Sequence, residues 1–96
     1  MAVKILIKRT IPENRVQDLM PFFKQLRALA TNQSGYISGE TLKRIDRPGQ
    51  YLVISTWESK DDWRRWVMSQ KRKEIQDMID SILGQETDYE IYEYAS

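Results

Sequence analysis

Trp57, Trp63 and Trp66 fall within ten residues, in the stretch TWESKDDWRRW, and the chain around them has no histidine and no cysteine. The indoles offer a wide aromatic surface, while the missing residue types remove most side-chain chemistry. Histidine acid/base catalysis, histidine metal ligation, Ser-His-Asp triads and thiolate nucleophiles are all excluded by composition. What remains is work for indoles, phenols, amides, arginines and carboxylates.

The charged clusters read as structural. Arg64, Arg65, Lys71, Arg72 and Lys73 gather locally, but Asp61, Asp62, Glu74 and Asp77 offset them, which describes a solvated helix face rather than a phosphate site. Asp61 with Asp62, and Glu86 with Asp88, are the acid pairs a hard cation could use. Such acids at a helix start and in a loop serve capping and solubility, so no metal is expected. Fifteen Lys and Arg against fourteen Asp and Glu leave a net charge of +1, too little to draw the chain to nucleic acid or an anionic membrane. No apolar run approaches the roughly 18 residues of a membrane span, and no basic segment precedes an apolar one, so a cytoplasmic location is expected.

These side chains need elements to hold them. Ala2 to Thr10 alternates, with Val3, Ile5 and Ile7 on one face and Lys4, Leu6 and Lys8 on the other, as a half-buried strand does. Pro12 and Glu13 open a helix. Val16, Leu19, Met20, Phe23, Leu26 and Ala30 keep helical spacing up to a stop at Asn32 to Gly35. Pro21 inside that pattern predicts a kink or a later effective start. Gly35 to Ile45 and Tyr51 to Trp57 form a hairpin around Asp46-Arg47-Pro48-Gly49. Ser59 and Asp62 make a capping box for the helix that carries Trp63 and Trp66. A further helical stretch is expected to bury Ile75, Met78, Ile79, Ile82 and Leu83 before Gly84. Thr87 to Ala95 reads as a last strand with bulky groups on both faces.

The order is βαββαβ, which right-handed crossovers fold into an α+β, ferredoxin-like sandwich with its helices on one sheet face. A chain of 96 residues fits one domain, residues 1–96, small enough to gain from a partner. The third strand offers Leu52, Ile54 and Thr56 on one side and Tyr51, Val53, Ser55 and Trp57 on the other, so the sheet face without helices is too apolar for bare solvent. A homodimer would cover it.

The stretch SGYISGETLKRIDRPGQYLVISTWESKDDWRRWVMSQKRKEIQDMIDSIL resembles the antibiotic biosynthesis monooxygenase domains, small dimeric α+β barrels. The Gly-Tyr opening of the second strand, the Asp-Arg-Pro-Gly turn and the Trp-Glu-Ser-x-x-x-Trp-x-x-Trp stretch carry the resemblance most specifically. It implies a fold, a homodimer and one of several activities. Some members are cofactor-independent oxygenases that turn polyphenols into quinones, others degrade haem, and many have no assigned reaction. In the haem branch the functional Trp falls on Trp66, the haem-ligating His near Gln76 and a first-strand Asn near Ile7 or Lys8. An amide is a poor iron ligand, which removes ordinary haem binding by that route.

In the oxygenase branch a phenolic substrate lies between sheet and helices, where donors in an apolar cavity stabilise a developing oxyanion without competition from water. The resemblance makes Trp66 the catalytic candidate. Arg9, Asn32 and Tyr36 join it as substrate-binding candidates by their chemistry, and no cofactor is implied. Without histidine, a carboxylate or an already ionised substrate must replace the base.

The residues also allow plainer roles. Trp63 and Val67 are spaced i, i+4, so Trp63 reads as a core anchor, and so does Trp57 at the end of its strand. Trp66 stands between pocket lining and packing. Tyr89, Tyr92 and Tyr94 read as dimer contacts. RNA-recognition modules share the βαββαβ order but carry aromatics in the middle of the first and third strands, where AVKILIK and QYLVIST have aliphatics. Two functions stay level on residues alone: a cofactor-independent monooxygenase of aromatic, polyphenolic or quinonoid small molecules, and a non-catalytic dimeric module that binds a small ligand.

Overall fold

The alternation of Val3, Ile5 and Ile7 with Lys4, Leu6 and Lys8 has its structural counterpart in β1 (Val3–Thr10), the strand from which the rest of the sheet is built. A computed structural model describes all 96 residues. After β1 come a 3-10 turn (Glu13–Arg15), α1 (Val16–Thr31), β2 (Tyr36–Lys43), β3 (Gln50–Trp57), α2 (Lys60–Val67), α3 (Gln70–Leu83) and β4 (Glu90–Glu93). The strands lie in the order β2-β3-β1-β4, every neighbouring pair antiparallel. This is the expected α+β, ferredoxin-like arrangement.

Register decides what each face carries. Val3 pairs with Trp57, Ile5 with Ser55, Ile7 with Val53 and Arg9 with Tyr51, so these residues share the helix-covered face. Leu6 pairs with Ile54, and Lys8 with Leu52, which pairs in turn with Leu42, on the opposite face. On the covered side the core forms two clusters. One holds Val3, Ile5, Trp57, Trp63 and Trp66. The other holds Ile11, Leu19 and Ile79 between α1 and α3.

Three local expectations are corrected. α1 does not wait for Pro21 but starts at Val16 and runs through it. The proline removes the donor that would meet the Gln17 carbonyl, and Gln17, Met20 and Pro21 are all exposed, so water can serve that carbonyl. Met78, expected inside, is 54 % exposed. The inner stripe of α3 is instead Arg72, Ile75, Gln76 and Ile79, a clean i, i+3, i+4, i+7 series. β4 is four residues long and omits Thr87 and Tyr89. Both make side-chain contacts with the helix layer instead.

The turn into β2 shows why a glycine precedes Tyr36. Gly35 has φ +87°, its carbonyl accepts from the Glu58 amide at 2.7 Å, and a β-carbon there would collide with the Asp62 side chain. Asp62 belongs to the cap of α2. Its N–H donates to Ser59 Oγ at 3.1 Å, and Ser59 Oγ–H donates back to Asp62 Oδ2 at 2.8 Å. The capping box fixes where α2 starts, and so where its two tryptophans point.

Candidate functional site

The aromatic side chains close one end of the space between sheet and helices. Trp57 is 1 % exposed at the end of β3, and its indole N–H donates to Ser55 Oγ at 3.1 Å. Trp66 stacks on it with centroids 6.3 Å apart and 24° between planes. Tyr36 meets it edge-on at 5.3 Å. The structure therefore brings Tyr36 and Trp66 together across Trp57. Trp63 packs edge-on to Tyr89 at 5.7 Å. The indoles are buried because α2 is capped so that Trp63 and Trp66, spaced i, i+3, both face the sheet.

Arg9 lies further along β1, and its surroundings are polar. It is 6 % exposed, sits 5.1 Å from the Phe23 ring centroid, and donates to Thr87 Oγ1 at 3.3 Å. The Thr87 hydroxyl accepts from the Gln76 amide at 2.7 Å and donates to Asp80 Oδ1 at 2.6 Å, to which Gln76 also donates at 2.9 Å. Arg72, again 6 % exposed, stands 5.1 Å from the Tyr89 ring centroid and donates to the Val67 carbonyl at 3.1 Å. Burial lowers the pKa of both guanidiniums, while Asp80 opposes the shift in each; the Arg9 charge lowers that of Arg72 further. Both remain cations at neutral pH. Two donors in this region find no partner within the chain: Arg9 Nε and the Tyr89 hydroxyl.

Such groups are costly to bury unless something accepts from them. Chemically, the cluster can orient and stabilise an anion beside aromatic walls. Asp80 Oδ1 is the acceptor that Gln76 and Thr87 share within it.

Asn32 is elsewhere. It is exposed at the end of α1, with its amide donating to the Ala28 carbonyl at 3.3 Å. Gln76, at the position where the haem-degrading branch places its ligand, has its amide N–H groups engaged by Asp80 and Thr87.

Sequence reasoning missed Arg72, Gln76, Asp80, Thr87 and Tyr89 as site members. Arg72 was expected on a solvated face and is buried. Tyr89 was expected at a dimer contact and turns inward onto Trp63 and Arg72. The signal was the phase of α3: counting from the Ser69 cap, Arg72 and Gln76 fall in line with Ile79.

Among the cavities that open on the surface, two have linings that include none of Trp66, Arg72 and Tyr89. One of about 440 Å³ lies at the β2–β3 turn beside Lys8, Arg9, Leu42, Arg44, Tyr51 and Leu52. One of about 580 Å³ lies beside Val3, Ser59, Arg64 and Ile91. No group of three or more Asp, Glu, His or Cys side chains comes together, and no helix is long and apolar enough to cross a membrane.

A ferredoxin-like sheet with aromatic and cationic side chains buried under its helices defines the structural class. The chain belongs to the antibiotic biosynthesis monooxygenase family, whose model matches residues 2–78. Among solved structures it is similar to a conserved protein from Methanosarcina mazei Go1, at 22 % identity and a TM-score of 0.87, over 96 % of this chain and 91 % of that one. It is also similar to SnoaB, a cofactor-independent oxygenase from Streptomyces nogalater, at 15 % identity and a TM-score of 0.85, over 99 % and 94 % of the two chains. Rv0793 from Mycobacterium tuberculosis aligns over the whole of both chains at 11 % identity and a TM-score of 0.82. No curated protein matches the chain.

Proposed function

We propose that the chain is a cofactor-independent monooxygenase acting on aromatic, polyphenolic or quinonoid small molecules, with its site between the helices and the sheet. The observation that carries this reading is the pair of buried donors without partners, Arg9 Nε and the Tyr89 hydroxyl, set among Phe23, Trp63 and Arg72. Family membership and the likeness to SnoaB support it.

The chemistry follows from charge. A phenol ionised next to a guanidinium is electron-rich enough to give one electron to O2, and the resulting radicals combine at a ring carbon bearing hydrogen. Loss of water from that hydroperoxide leaves a carbonyl, with one oxygen atom in the product and the other in water. The protein's part is to hold the oxyanion in a water-poor site, where fixed donors are worth far more than in solvent. In this reading Trp66 is the catalytic candidate, and Arg9 and Tyr36 contact the substrate. Asn32 takes part only by releasing Ala28.

The reading includes a cytoplasmic homodimer of one domain, residues 1–96. Leu6, Leu52 and Ile54 on the open face are only half-buried, and Leu42 and Tyr92 are 45 % and 50 % exposed. A second copy would cover them with an interface of roughly 2,000 Å² or more in total. Light scattering should return twice the mass of the chain at micromolar concentration; a monomer there contradicts it.

The activity is tested by oxygen uptake with a panel of hydroquinones, anthrones and flavonols. Uptake above that of heat-denatured protein, with one atom of labelled O2 entering the product, supports the oxygenase. Binding without uptake would instead support the non-catalytic ligand-binding module.

A further inference from the structure

The cluster around Arg9 does not balance its own charge. Arg9 and Arg72 bring two buried cations, and the buried network answers with a single carboxylate, Asp80, already accepting from Gln76 and Thr87. Asp77, which also acts on Arg72, is exposed. Arg9 is more than nine-tenths buried, and its Nε–H has no acceptor. Tyr89 adds a second free donor in the same neighbourhood. A buried cation of this kind is tolerated where an anion completes it.

Guanidinium suits a planar partner, because its fixed N–H fork matches two oxygens held at carboxylate spacing. The walls suit a ring: Phe23 lies against Arg9, and Trp63 and Tyr89 lie beside Arg72. Thr87 and Tyr89 reach the cluster from residues 84–89, which belong to no helix or strand, the part of the fold that moves at least cost to an entering group.

We infer that Arg9 and Arg72, with the Tyr89 hydroxyl, form a subsite for the ionised oxygens of an aromatic acid, either a carboxylate or the carboxylate-like enolate of a hydroxyquinone. The inference rests on the oxygenase reading for the site's use, but not for its binding. It narrows the substrate from phenols in general to aromatics that arrive as anions.

The test uses the full chain and a matched pair of probes. 2-Hydroxy-1,4-naphthoquinone is ionised at neutral pH, and 2-methoxy-1,4-naphthoquinone has nearly the same shape without the charge. Calorimetric titration at low salt should show the anion binding at least tenfold more tightly than the ether. Arg9→Gln and Arg72→Gln should abolish that preference. Tyr89→Phe, which removes only an unpartnered hydroxyl and should fold, should reduce it about fivefold, the factor for one hydrogen bond of roughly 1 kcal/mol, while leaving the ether's affinity unchanged.

Equal affinity for the two quinones, failure of both to bind, or a preference untouched by Tyr89→Phe overturns the inference, even if the arginine variants do not fold. Oxygen uptake with 1,4-dihydroxy-2-naphthoate, whose carboxylate is ionised, and with its uncharged methyl ester separates the two claims. Anion preference without uptake keeps the subsite and removes the oxygenase; uptake that ignores the charge keeps the oxygenase and removes the subsite.

Discussion

The two ends of the helix-covered sheet face solve opposite problems. At the Trp57 end, Val3, Ile5, Trp57, Trp63 and Trp66 enclose each other, and the Trp57 indole N–H finds Ser55. At the Arg9 end, two buried guanidiniums and a buried amide meet a half-buried hydroxyl and carboxylate, with donors left over. One end is what a small domain needs to fold. The other is what a protein keeps when it has something to bind. Stability should therefore be concentrated at the first and function at the second, and substitutions can break that division.

The largest effect is expected at Trp57. Trp57→Ala empties a site 1 % exposed and removes the surface on which Trp66 and Tyr36 rest, at a cost of about 3 to 5 kcal/mol. In a domain whose whole stability is about 5 to 15 kcal/mol, that should leave much of the protein unfolded in a thermal melt followed by circular dichroism. A melting temperature within a few degrees of wild type would show that the tryptophans are not the structural end.

Arg9→Met should behave differently. It replaces an incompletely paired buried cation by an apolar chain of similar length beside Phe23, a change that is often neutral or stabilising. With Arg72 still beside Asp80, stability should fall by no more than about 1 kcal/mol, the net worth of the lost hydrogen bond to Thr87. Turnover or anion binding should fall at least tenfold. Strong destabilisation with unchanged binding would make Arg9 a structural residue and erase the contrast.

The smallest effect concerns the cap that aims Trp63 and Trp66. Hydrogen bonding from Ser59 foremost, with Arg65 assisting and burial opposing, holds the Asp62 carboxyl below its usual range. A depressed carboxylate pKa stabilises the fold above the unfolded value of about 3.9 and loses that contribution as pH falls through the folded value. The gap in melting temperature between wild type and Asp62→Asn should therefore close as pH drops from about 5 to 2. A gap that stays constant over that range would remove Asp62 ionisation from the account.

The first end was largely legible in the sequence, because the Ser59–Asp62 cap and the i, i+3 spacing of Trp63 and Trp66 are local signals that set which way the helix faces. Arg9 was singled out for its chemistry. The rest of its cluster was hidden for a physical reason: Thr87 and Tyr89 come from the coil after α3, Phe23 from α1 and Arg9 from β1, so only tertiary packing joins them. Arg72 and Gln76 were within reach, but polar residues on an inner stripe look like surface until the stripe is counted from its cap.

The central claim, that the Arg9 end of the sheet serves oxygen chemistry on an aromatic substrate, is tested most directly with an oxygen electrode. Purified protein without added metal or flavin should consume one O2 per anthraquinone formed from an anthrone, with one atom of labelled O2 in the product, the other in water and no hydrogen peroxide released. Arg9→Met should slow that turnover while its melting temperature stays within a few degrees. No uptake above heat-denatured protein across the panel would contradict the account.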